Sequence, residues 1–258
     1  MCFLNSKLDL LLLTLLLSKF YYISGKVYNI IPSQTLPYKC QESPCLITTL
    51  SQFAINWNSS HSLASNITLL VSGEHHSLDV RLSVLNVSKF IMQSIDDASN
   101  PVITCINSGN LNFINIDNVQ FKNLKFEKCN GSRFELVQHL NIECLSFIKS
   151  PITIINSNGS ILGTNFHFNF GSYRYNNASR HSIDFPDESS KNSLGGALMV
   201  TCSTFIINNS TFEKNTANLG GAIFVEFNSS VTISNSTFKR NVALVRSALE
   251  GLFTAKEV

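Results

Sequence analysis

Carboxylates, histidines and cysteines are the side chains in this sequence that could carry chemistry, and their spacing supports little of it. Cleaving a glycosidic bond takes two carboxylates facing one another across the substrate. Asp96 and Asp97 are neighbours, and neighbours on a strand point to opposite faces. Ahead of Ser99-Asn100-Pro101 they read as turn residues. Glu127 and Glu213 recur at equivalent places in a repeat but several passes of the chain apart. His75 and His76 follow Glu74, a pair that could ligate a metal, yet no third ligand lies near and a surface turn after Gly73 is expected. No glycine-rich phosphate loop and no Gly-x-Ser-x-Gly elbow occurs. The reading is therefore no catalytic residue, no cofactor and no metal.

Of the seven cysteines, Cys2 falls in an apparent export signal, leaving Cys40, Cys45, Cys105, Cys129, Cys144 and Cys202. An even set behind such a signal suggests disulfides, in any of fifteen pairings. The local pair Cys40–Cys45 is favoured because Gln-Glu-Ser-Pro between them makes a turn. Zinc fits less well, since the cysteines do not form two close doublets. Ten glycosylation sequons stand at Asn58, Asn66, Asn86, Asn130, Asn158, Asn177, Asn208, Asn209, Asn228 and Asn235, where 29 asparagines and 50 serines and threonines predict between five and six by chance.

The elements that must position these residues follow from composition and periodicity. Charged residues make up only 14% of 258, against 44% hydrophobic, and the formal net charge is +2. That field is too weak to imply nucleic acid or an anionic membrane as partner. Residues 1–25 read as a cleaved signal peptide: Lys7, then an apolar run from Leu8 to Leu17, then Ile23-Ser24-Gly25. The run is about half of the ~20 residues a bilayer crossing needs, so the mature chain is expected to have no membrane span. Residues 26–64, with Pro32, Pro37 and Pro44, read as a cap holding a short helix near 46–56. Beyond residue 65 come short apolar alternations punctuated by Asn, Ser and Gly, the pattern of strands and tight turns.

Internal repetition then sets the architecture. Asn209-Ser-Thr-Phe-Glu-Lys-Asn215-Thr-Ala returns 26 residues later as Asn235-Ser-Thr-Phe-Lys-Arg-Asn241-Val-Ala, and Gly195-Gly196-Ala-Leu returns 25 later as Gly220-Gly221-Ala-Ile. The odd residue must be absorbed between the two elements, in the turn around Cys202 in one copy and Asn228-Ser229 in the next. Phe126, Phe147 and Phe168 echo the period upstream, with an extended loop near 171–192. The expected fold is all-β, a single-stranded right-handed parallel β-helix over 65–250 with a tail at 251–258. Phe126, Phe147, Phe168, Phe212 and Phe238 would form an inward ladder, each contributing about 2 kcal/mol. Asn215 and Asn241 would stack at a turn that tolerates left-handed backbone angles, and the Gly-Gly pairs would sit where a side chain is blocked.

These residues carry a resemblance. Gly-Gly-Ala-Ile/Leu, a strand, then Ser-Thr-Phe-x-x-Asn-x-Ala resembles the repeat of polymorphic outer-membrane-type, pectin-lyase-like β-helices, and is more similar still to secreted right-handed β-helix proteins of sponges and cnidarians. Arg246-Ser247-Ala248-Leu249 stands where a third Gly-Gly would fall. The resemblance implies fold far more than activity. The functional expectation is a non-catalytic secreted protein, held at the cell surface if the chain is a fragment, whose partner is an extracellular protein or carbohydrate. The alternative is a carbohydrate-active lyase or glycoside hydrolase on the same scaffold.

Overall fold

A computed structural model describes residues 25–32, 46–59, 66–96, 100–171 and 193–244. Among these residues the chain is all-β apart from one helix. Its strands stack in long sheets whose ladders are all parallel, an arrangement consistent with a parallel β-helix. The reading of residues 1–24 as an export signal, the Cys40–Cys45 pair, most of the loop near 171–192 and the tail lie outside the described residues.

Successive passes of the chain contribute strands to three rows, in which strands pair with their counterparts from neighbouring passes, and the short pair Thr216–Ala217 and Val242–Ala243 stands apart. One row runs through Leu82–Leu85, the first part of Leu111–Lys122, the first part of Ser132–Glu143, Ile152–Ile155, Leu198–Thr201 and Ile223–Glu226. A second includes Asn66–Val71, Lys89–Ser94, the later parts of the two long strands, Asn158–Leu162, Thr204–Asn208 and Ser230–Ser234. The third holds His75–Leu78, Val102–Cys105, Lys125–Glu127, Ser146–Ile148, Asn165–His167, Thr211–Glu213 and Thr237–Lys239. Period-two alternation selects the inward face, as in the iBiBiB burial of Asn66–Val71.

Parallel pairing puts equivalent residues about 4.8 Å apart, so like side chains stack. In the third row the inward column is His76, Ile103, Phe126, Phe147, Phe166, Phe212 and Phe238. Its neighbouring rings lie 5.4, 5.2, 4.7 and 4.8 Å apart and within 14° of parallel. The ladder expected from sequence thus contains Phe166 in place of Phe168, whose ring is 39% exposed. Phe238 stacks on Phe212 but is 46% exposed, because no described rung covers it.

At the other end, helix α1, Leu50–Ser59, buries Leu50, Phe53, Ala54 and Trp57, the i, i+3, i+4, i+7 face. Thr49 caps it, its hydroxyl accepting the Gln52 amide at 3.2 Å. That cap starts the helix four residues later than the sequence suggested, and Leu46–Thr48 instead pairs as a strand beside Lys26–Ile30.

Candidate functional site

Where a side chain could act depends on how the chain turns between strands. Most corners turn on one residue with positive φ followed by a residue whose side chain points inward, although the turn at Asp79–Arg81 has none and that at Phe227–Asn228 has two. The first corner uses Asn86, Asn115, Leu136, Asn156, Cys202 and Asn228; the second uses Asn123, Cys144, Gly163, Asn209 and Asn235; the third uses Lys128, Lys149, Phe168, Lys214 and Arg240. A single left-handed residue redirects the backbone without breaking the ladder. At the third corner the Lys128 amide donates to the Ile148 carbonyl at 2.9 Å, and the Lys214 amide to the Lys239 carbonyl at 2.9 Å.

The inward residue after each turn leaves its amide pointing along the column, and in the later rungs a polar side chain from the next rung accepts it. At the third corner the amides of Cys129, Ser150, Asn169 and Asn215 donate in sequence to Ser150 Oγ, Asn169 Oδ1, Asn215 Oδ1 and Asn241 Oδ1, at 2.9, 2.6, 3.0 and 3.0 Å. Asn215 uses all its valences: Oδ1 also accepts from Asn169 Nδ2, while Nδ2 donates to Asn241 Oδ1 and to the Phe166 carbonyl. Ser157, Ser203 and Ser229 repeat the device at the first corner. So Asn215 and Asn241 do stack, as expected, but the left-handed backbone belongs to the residue before each, Lys214 and Arg240. Sequence reasoning missed Asn169 and the serine ladder. Four buried serines, Ser150, Ser157, Ser203 and Ser210, each one residue after a corner residue, were the available signal.

The glycine pairs meet their expectation. Gly195 and Gly220 have φ of +58° and +63°, and a Cβ on Gly196 would lie 2.0 Å from the Gly221 carbonyl oxygen. The odd residue between repeats is Phe227: Thr201 pairs with Glu226 at a spacing of 25 and Thr204 with Ser230 at 26, and Phe227 and Asn228 both take positive φ where the earlier copy has Cys202 alone.

Cys105 and Cys129 form a disulfide joining adjacent rungs, with Cα atoms 4.9 Å apart. Cys144 and Cys202 are free, exposed thiols at corners, so the six-cysteine disulfide set is not realised. His75 and His76 lie on a strand, not a surface turn: His75 faces out, while His76 is buried, its Nε2 2.8 Å from the Ser72 carbonyl. Burial lowers the His76 pKa. An open cleft of about 590 Å³ is lined by His75, not His76, together with Glu74, Asp96 and Val102 among others; Asp97 lies outside the described residues. No group of three potential metal ligands occurs among the described residues.

Glu226 is a carboxyl that sequence reasoning passed over. Half-buried, it accepts a 3.0 Å hydrogen bond from Thr201 Oγ1, yet burial holds its pKa above the usual range. The nearest carboxylate on its own row, Glu135, is three rungs away, about 14 Å. Glu213 pairs in register with Lys239; it lies 3.3 Å from Lys214 Nζ and 3.8 Å from His167 Nε2, and its pKa is lowered chiefly by the Lys214 hydrogen bond. Among the sequons, Asn86, Asn209, Asn228 and Asn235 are exposed corner residues and Asn130 an exposed turn residue. Asn66, Asn158 and Asn208 lie on strands, Asn58 holds the Arg81 carbonyl and the Ser83 amide from the helix, and Asn177 is outside the described residues.

This geometry defines an all-β chain of parallel strands in stacked sheets, built on three columns of left-handed corners. Compared with protein-family models, curated proteins and solved structures, the chain matches none of them. The pectin-lyase-like resemblance therefore rests on the repeat residues themselves.

Proposed function

We propose that the chain is a secreted or cell-surface protein of the right-handed parallel β-helix type that recognises an extracellular protein or carbohydrate without transforming it. The observation that carries this reading is the outer surface. Polar side chains recur rung on rung and are tied to each other, as in Asn115 to Asn86 at 2.6 Å, Gln138 to Asp117 at 3.0 Å and Ser160 to Asn141 at 3.1 Å. Such rows are held before a partner arrives, so binding an extended molecule along them loses little side-chain entropy. The Cys105–Cys129 bridge supports an oxidising, extracellular setting.

The test is incubation with a panel of polysaccharides and extracellular-matrix proteins. Saturable binding without release of reducing or unsaturated ends is expected. Release of such ends would replace this reading with the lyase or hydrolase, and Glu226→Gln would be the first variant to examine. Expression in a eukaryotic secretory host should yield a chain beginning near residue 26, with mass removed by glycosidase from Asn86, Asn130, Asn209, Asn228 or Asn235. A chain retained in the cell at full length would count against export.

A further inference from the structure

The three corners differ in what they present to solvent. Of the eleven corner residues at the first and second, seven are asparagine, one is glycine and none is charged. Those are the residues that tolerate a left-handed backbone most easily. The third corner turns at Asn107 after Val102–Cys105, but over the next five rungs it carries Lys128, Lys149, Phe168, Lys214 and Arg240, and for such side chains that conformation is strained. Four of these five positions hold a cation on a left-handed backbone, whereas Leu136, Cys144 and Cys202, the remaining residues of the other two corners, hold none. The five are consecutive rungs, since Phe126, Phe147, Phe166, Phe212 and Phe238 beside them pair in order, so the column extends about 19 Å.

Flanking side chains add to it. Lys125 and Lys239 lie on the outer face of the same strand row, and only Glu127 and Glu213 oppose them there. Lys125 pairs with Glu127 at 2.8 Å and Lys214 with Glu213 at 3.3 Å. Six cations against two carboxylates leave this edge at +4, in a chain whose total is +2; the remainder of the molecule is net negative. The field that the whole-chain charge hides is concentrated on one edge.

We infer that this third-corner column binds a sulfated linear polysaccharide laid along the column axis. The inference rests on the reading that the chain acts outside the cell by binding. A cation on nearly every rung matches a polymer with one or more fixed charges per sugar, and not one with a single carboxylate per disaccharide. Phe168 offers no open platform for nucleobases: Lys214 Nζ sits 4.9 Å over its ring and His167 stacks on it at 4.1 Å.

The probe is immobilised heparin, with hyaluronan and a single-stranded DNA oligonucleotide as comparisons at physiological ionic strength. The full chain should bind heparin more tightly than either. K128N/K149N/K214N/R240N should weaken heparin binding by about tenfold or more. Asparagine suits the corner backbone, so this variant should melt no lower than wild type. K26N/K89N/K122N/R133N makes the same charge change on other faces and should lose less than about twofold. K128R/K149R/K214R keeps the charge and should bind as wild type does. No binding to heparin, equal losses in the two asparagine sets, or tighter binding to DNA would each overturn the inference. If heparin binding is absent and no reducing ends are released, this inference alone fails; release of ends removes the non-catalytic reading itself.

Discussion

Asn215 concentrates the polar side of the interior. It is fully buried, and its one amide group satisfies Asn169, Asn241 and the Phe166 carbonyl together. Asn215→Ala strands those groups without water, so a loss of about 3 kcal/mol is expected, read as a lower denaturation midpoint. The phenylalanines divide in the same way. Phe166 is fully buried between Phe147 and Phe212, so Phe166→Ala should cost about 3–5 kcal/mol. Phe168→Asn removes an exposed ring from a left-handed corner and should leave the melting temperature unchanged or higher. A Phe168 variant as damaging as the Phe166 one would contradict the register seen here.

Rungs are held to one another by parallel ladders, stacked side chains and, at one point among the described residues, a covalent bond. The Cys105–Cys129 bridge closes a loop of 24 residues in sequence. Its replacement by two serines should cost about 3 kcal/mol through the larger unfolded ensemble. The same loss should follow chemical reduction of the wild type. Because both sulfurs are buried in the core, slow reduction under native conditions is also expected.

Across the whole molecule, two titrating groups near opposite ends of the column give stability a pH dependence of opposite sign. Burial makes folded His76 bind its proton more weakly than the unfolded chain does, so its contribution is complete above the ordinary value of 6.5 and declines as pH falls below it. Folded Glu226 binds its proton more tightly. Its contribution is present below the ordinary value of 4.5 and is lost as pH rises through the raised folded value. Thermal melts should therefore show His76→Gln flattening the decline between pH 7 and about 5, and Glu226→Gln raising the midpoint at pH 7. Melts of the two variants that parallel wild type at every pH would refute both assignments.

What the sequence determined by itself was the repetition: all-β character, the stacked Phe126, Phe147, Phe212 and Phe238, the blocked Gly196 position, and a one-residue insertion between repeats, found at Phe227. These follow from short-range spacing, which a parallel ladder copies from one rung to the next. Register at Asn165–His167 was beyond it. Phe166, Phe168 and Phe170 share one parity, and a single left-handed residue at Phe168 reverses which parity faces inward, so only pairing with Phe212 selects Phe166. Tertiary structure likewise decided that Cys105 meets Cys129 and that Lys128, Lys149, Lys214 and Arg240 share an edge. The two cysteines, and each of these corner cations from the next, lie 20 or more residues apart in sequence, and nothing short of the stacked rungs brings them within reach.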